Sequence, residues 1–316
     1  MTKAKFQIFW DKFGTLSILI LILGGLSIAS PEFFMTLDNF KQIGLQSTVY
    51  ILLALGEFFA ILLAGIDLSV GAAAGLTGMV TAMMMTAGVP VPVAILLGLG
   101  FALVLGFING SLINLLDLHP FIVTLGTLTI FKGVTLVISN GGPVFNLPAE
   151  FKDISGYVFG FPIPLLIALV IVAVLAWFTL KTVVGRNLYA LGGNKQAAWF
   201  SGINTKKYTT IAHCLCTLMA GIAGIIMTSR VGAAEPLAGN GYETFAIAAC
   251  IIGGTSFFGG KGKIIGVLLG GLIIGAITNG LNILNVSSFY QMIVMGALII
   301  GSVALEKAIG NTVKAK

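Results

Sequence analysis

Ten apolar stretches follow one another along this chain, at 13–29, 43–64, 70–86, 93–115, 120–138, 162–180, 208–228, 243–258, 264–284 and 289–305. A helix needs about 20 apolar residues to cross the hydrocarbon core of a bilayer. The least marked border lies around 65–69, where the apolar pattern hardly breaks. Composition agrees with a bilayer as solvent. Hydrophobic residues make up 57% and charged residues 9% of the 316 positions, and mean hydropathy is +1.06. A soluble domain keeps about a quarter of its residues charged. The 42 glycines fit the same setting, because small residues let helices approach closely in lipid. The expected fold class is an all-α integral membrane protein of about ten transmembrane helices, a single polytopic domain over residues 1–316.

Lys and Arg placement sets the orientation. With the N-terminus in the cytoplasm and ten crossings, the inside receives Lys3, Lys5, Lys12, Lys181, Arg186, Lys195, Lys206, Lys207, Lys261, Lys263, Lys307, Lys314 and Lys316. The outside keeps Lys41, Lys132, Lys152 and Arg230, against the acids Glu32, Asp38, Glu150, Asp153, Glu235 and Glu243. Both termini are therefore expected in the cytoplasm. The net charge of +6 belongs to this topology, and no nucleic-acid partner is expected. The first stretch also has the features of a cleaved signal peptide, but it exceeds a typical apolar region of about 7–15 residues and is expected to be retained.

Several polar groups interrupt the apolar runs. Glu57, in GEFFAILLAGID, is either a hydrogen-bonding group between helices or a proton-carrying carboxylate. Asp67 and Ser69, flanked by Gly65 and Gly71 in AGIDLSVG, read as a structural helix break where either side chain can cap a new helix, or as a broken helix near a transport path. Asn109, Thr124 and Thr127, with Glu57, are candidates for lining a pathway; the threonines can equally bond their own helix backbone. Asn109-Gly110 and Asn279-Gly280 fall in the fourth and ninth stretches. They hint at an inverted repeat between spans 2–5 and 7–10. His119 and His213 look isolated, and Cys214, Cys216 and Cys250 have no zinc-like spacing, so no metal site is expected.

The inside stretch 181–207 holds five basic residues and no acid. Its middle, NKQAAWFSG, is helix-compatible and closed by glycine: an ordinary basic loop, or a short helix that docks a cytoplasmic partner. The phosphate-cradling pattern GxxxxGK[ST] is absent. GGTSFFGGKGK at 253–263 has the glycines without the spacing, and reads as a tight inside turn.

Six further motifs, in order, carry a resemblance over nearly the whole length: AGIDLSVG, LHPFIVTLGT, GRNLYALGGNKQAAWFSGIN, AAEPLAGNGYET, IIGGTSFFGGKG and NGLNIL. The chain resembles the permease subunits of bacterial carbohydrate importers of the ATP-binding-cassette superfamily, in the ribose and allose branch, with GEFFAILLAGIDLSVG and AAEPLAGNGYETFAIA nearer the allose members. The resemblance implies a type II importer-like fold in the bacterial inner membrane. It implies a second permease copy, ATPase subunits inside and a soluble sugar-binding protein outside. ATP and magnesium would sit on the ATPase, leaving this chain no cofactor of its own. It also implies a cytoplasmic coupling loop over 181–207, with Asn194, Lys195, Gln196, Ala197, Ala198, Ser201 and Gly202 as the contact to the ATPase. The outer loops 140–161 and 230–241 become candidates for touching the binding protein. The competing expectation is a secondary transporter coupled to protons through Glu57 and Asp67.

Overall fold

The computed structural model describes the backbone of residues 3–314 and the side chains of 13–287, 289–301, 303 and 304. Lys316 and the side chains of Lys3, Lys5, Lys12, Lys307 and Lys314, used in the charge asymmetry, lie outside the described residues.

The chain is helical through nearly all of its apolar stretches. In order the elements are α1 (Lys3–Ala29), α2 (Pro31–Phe34), α3 (Leu37–Leu62), α4 (Val70–Thr86), α5 (Val91–Leu116), α6 (Pro120–Ile138), α7 (Ala149–Lys152), β1 (Tyr157–Val158) and β2 (Phe161–Pro162). Then follow α8 (Ile163–Lys181), α9 (Val183–Gly193), α10 (Lys195–Phe200), α11 (Thr205–Val231), α12 (Tyr242–Ile252), α13 (Ile264–Ile283) and α14 (Ser288–Lys314). The two strands form a small antiparallel hairpin. Polar residues start several helices by accepting otherwise orphaned backbone N–H groups. Thr36 Oγ1 accepts from Asn39 N, Thr182 Oγ1 from Gly185 N and Asn204 Oδ1 from Lys207 N. Asp117, at φ 49°, and Gly232, at φ 74°, end α5 and α11 in the left-handed region.

Among the described residues six helices are long and apolar enough to cross a membrane: α3, α5, α6, α8, α11 and α13. The apolar parts of α1, α4, α12 and α14 are shorter. The eighth expected span, 243–258, is corrected most. Its helix stops at Ile252, and Gly253, Gly254 (φ 83°), Gly259 and Gly260 turn the chain instead. Eleven residues rise about 16 Å, roughly half of a hydrocarbon core. The stretch 181–207 also differs from expectation, since it holds a second helix, α9, ahead of the short α10.

The core is built around α3. Its most apolar window is 94% buried, against 28% for α5, α6 and α8. A helix that is apolar on every side belongs inside, wrapped by others. Here α8, α11, α12 and α13 wrap it, while α5, α6 and α8 keep apolar outer faces. Close backbone approach sets the packing of α4 on α11. A Cβ on Gly224 would run into the backbone of Ala74, and one on Gly78 into Thr228. Gly224→Val is therefore expected to lose about 1–3 kcal/mol or more through overpacking. A thermal midpoint in detergent equal to that of the parent chain would contradict this packing.

The connections gather at two ends. At one, Gly260 N donates to Leu62 O at 2.9 Å, Tyr189 Oη donates to Gly262 O at 2.8 Å, and Asn114 Nδ2 donates to Lys206 O at 2.8 Å. At the other, Val144 pairs with Ala234 across a β-bridge, and Ser229 Oγ donates to Phe151 O at 2.7 Å.

Candidate functional site

The break between α3 and α4 is a short non-helical run, 63–69, that turns back beside the end of α3. Ala64 adopts φ 57° there, and a Cβ on Gly65 would press on the Pro120 ring at 3.0 Å. Backbone freed from a helix in an apolar setting needs partners from neighbouring protein. It finds them in side chains from two packed helices. Asp67 N donates to Glu57 Oε1 of α3 at 3.1 Å, and Leu68 N donates to Thr124 Oγ1 of α6 at 3.1 Å. Thr124 Oγ1 also bonds to Ile66 O at 3.1 Å and to Pro120 O of its own helix at 2.9 Å.

The Asp67 carboxylate lies at the centre of this arrangement. Its Oδ1 accepts from Ser69 N at 3.0 Å and from Ser69 Oγ at 2.5 Å. Its Oδ2 lies 2.7 Å from His213 Nδ1 of α11 and 3.4 Å from Asn109 Nδ2 of α5. Asn109 Nδ2 also donates to Ser69 Oγ at 2.8 Å. Cys216 Sγ, one turn beyond His213, lies 4.0 Å from Glu57 Oε2. Glu57, Asp67, Ser69, Asn109 and Thr124 are fully buried, and His213 is 2% exposed. Together these contacts tie α3, the break, α5, α6 and α11 into one polar network.

Two sequence expectations need correction. His213 is not isolated: it is the partner of Asp67 across 146 residues of chain. Ser69 occupies the N-cap position of α4 without making a side-chain cap, because its hydroxyl goes to Asp67. Glu57, Asn109, Thr124 and Thr127, the pathway candidates, are buried among packed helices in the single chain. Thr127 sits one turn further along α6 and donates to Thr124 O at 3.4 Å, outside the network proper. Asn109 Oδ1 and Asn279 Oδ1 both lack a hydrogen-bond partner, so the two Asn-Gly sites share an unsatisfied amide oxygen.

The inside stretch is a separate feature. Asn194 Oδ1 caps α10 by accepting from Ala197 N at 2.9 Å, Ser201 Oγ donates to Ala197 O at 2.9 Å, and Gly202 ends the turn at φ 82°. Ala198 is buried against the core, while Lys195, Gln196 and Ala197 face outward. Trp199 and Phe200, 61% and 73% exposed, stack edge to face at 5.0 Å. A six-residue helix is too short to hold itself together. Its caps and the buried Ala198 hold it in place.

The described bundle thus combines six helices long and apolar enough to cross a membrane with a clamped internal break and a short exposed helix. Residues 39–303 match the family model described as "Branched-chain amino acid transport system / permease component", and the chain belongs to this family of ATP-binding-cassette importer permeases. It is 52% identical to the D-allose transport system permease protein AlsC of Escherichia coli, over 97% of this chain and 95% of that one. It is 44% identical to the ribose import permease protein RbsC of Bacillus subtilis, over 92% and 90%. With RbsC of Haemophilus influenzae it shares 40%, over 93% and 92%. No solved structure matches the chain. As a permease component it has no ATP site of its own, and a separate ATPase subunit supplies the energy.

Proposed function

We propose that this chain forms the inner-membrane pathway of a monosaccharide importer, with D-allose as its substrate. The observation that carries the substrate is the 52% identity to the D-allose permease across 97% of the chain. The family description names amino-acid transport, but the three relatives above, at 40%, 44% and 52% identity, are named for ribose and D-allose. The proton-coupled alternative has no support from the family, and Glu57 and Asp67 serve the backbone and the packing around the break.

In this reading the chain crosses the membrane ten times, with the short α12 completed by the turns on either side. Both termini face the cytoplasm. The end bearing α9 and α10 carries Lys181, Arg186, Lys195, Lys206, Lys207, Lys261 and Lys263, as expected of a cytoplasmic face. Spans 2–5 (α3 to α6) and 7–10 (α11 to α14) form the inverted repeat, with Asn109-Gly110 and Asn279-Gly280 in the third helix of each half. Residues 181–207 act as the coupling loop, in which α10 presents Lys195, Gln196 and Ala197 to the ATPase beside the Trp199–Phe200 pair. ATP and magnesium bind that ATPase. A sugar-binding protein delivers substrate at the opposite end, near 140–161 and 230–241, and a second copy of the chain completes the pathway. Asn109, Thr124 and Thr127 reach that pathway only when the break shifts.

Vesicles holding the chain with its ATPase and binding protein test the reading. D-allose uptake is expected to need ATP and both partners, and to survive collapse of the proton gradient. Sugar accumulation by this chain alone would sink it.

A further inference from the structure

Lys132 is a cation within an apolar helix, which is costly unless the charge is put to use. It lies on α6, six residues or about 9 Å from the helix end. Its long stem could carry the ammonium out to the interface. Instead its Nζ donates to Asn240 Oδ1 at 3.0 Å, on the connection between α11 and α12. The two residues line a cleft with Thr135 and with Glu243, from the first turn of α12, and with Ala72 and Gly75 of α4. The cleft encloses about 20 Å³, room for about one water or one hydroxyl group.

Lys132 and Glu243 share this cleft without pairing. Their charged atoms do not approach within 4.0 Å of each other. The ammonium keeps two of its three donors after serving Asn240, and the carboxylate accepts only. A Cβ on Gly71 would run into the Gly239 carbonyl first and would also meet Glu243 Oε2 at 2.7 Å, so the connection carrying Asn240 packs closely on α4 here. A donor-rich cation, an acceptor-only anion and an amide around one small space suit a neutral polyhydroxylated ligand. An anionic ligand would meet Glu243, and a cationic one would meet Lys132. The same packed face of α6 carries Thr135, Thr127 and Thr124, the last of which holds the break.

We propose that Lys132, Asn240 and Glu243 form a polar subsite that takes a hydroxyl of the incoming sugar at the end of the bundle opposite α10. The proposal rests on the sugar-permease reading and adds the residues that contact the substrate. The hydroxyl bridges ammonium and carboxylate, filling the gap that separates them in the free chain. The subsite then senses substrate between a loop, α6 and the start of α12.

The test uses the whole importer in proteoliposomes, with radiolabelled D-allose and parallel ATP hydrolysis. Hydrogen bonds to charged groups are the strong ones, so Lys132→Met and Glu243→Gln are each expected to lower uptake about tenfold. Sugar carried per ATP should fall with uptake, and Lys132→Arg should recover at least half of the loss. Uptake within twofold of the parent, or uptake and ATP hydrolysis falling in proportion, overturns the subsite. If Lys132→Met fails to assemble, Asn240→Ala at an exposed position is judged by the same two criteria. A parent importer that shows no ATP-dependent uptake of D-allose or D-ribose refutes the importer reading instead.

Discussion

Replacing Asp67 with alanine is expected to cost the folded chain about 2–6 kcal/mol, because it empties the centre of a buried hydrogen-bond network. The change strips the acceptor from Ser69 N and Ser69 Oγ and removes the contact to His213 Nδ1 at once, while Asn109 Nδ2 keeps Ser69 Oγ. Each buried donor left without a partner carries its own penalty of about 1–3 kcal/mol. Asp67→Asn keeps one acceptor oxygen and should lose less. Glu57→Gln retains an oxygen for Asp67 N and should keep both stability and uptake if its role is hydrogen bonding. Thermal unfolding of the detergent-purified chain ranks the three. An Asp67→Ala chain as stable as its parent would show that the network carries no weight.

The second large effect concerns α10. Substituting Ala197, on its exposed face, with glutamate is expected to abolish stimulation of the partner ATPase while the chain still inserts in the membrane. Substituting Trp199 or Phe200 with aspartate should do the same, because these rings form the apolar part of the exposed helix. Ala198 is the contrasting case. It is buried, so a bulky residue there should lower stability as well as coupling. Hydrolysis measured with and without loaded binding protein separates the outcomes. Stimulation that survives Ala197→Glu and Trp199→Asp would remove α10 from the coupling role.

Much of this architecture is legible in the sequence, for a physical reason. Apolar runs long enough to span a bilayer have few other uses, so the helices at 37–62, 91–116 and 120–138 follow from length and hydropathy. The break at 65–69 is readable from Gly65, Asp67 and Ser69. What pins it is not. The partner of Asp67 lies 146 residues away, and sequence spacing holds no record of which helix faces which. One signal is available: a buried acid needs a partner, and His213 is the histidine of the seventh apolar stretch. Hydropathy also runs past Ile252, because Phe257 and Phe258 hide the glycine turn around them. Along the sequence Lys132 is no more than an outer charge. Its place beside Asn240 depends on how the connection after α11 folds back, which local pattern does not encode.

The distance along the chain between Asp67 and His213 also has a consequence for how the protein is made. At about 5–20 residues per second, a ribosome delivers His213 roughly 7–30 s after Asp67. Through that interval α3 and the break enter the membrane with two carboxylates and no final partner for Asp67. A nascent chain that stops before α11 already holds the Ser69 and Asn109 partners of Asp67 but lacks the His213 contact that ties the break to α11. Closure of one contact thus reports that the first two thirds of the chain have arrived.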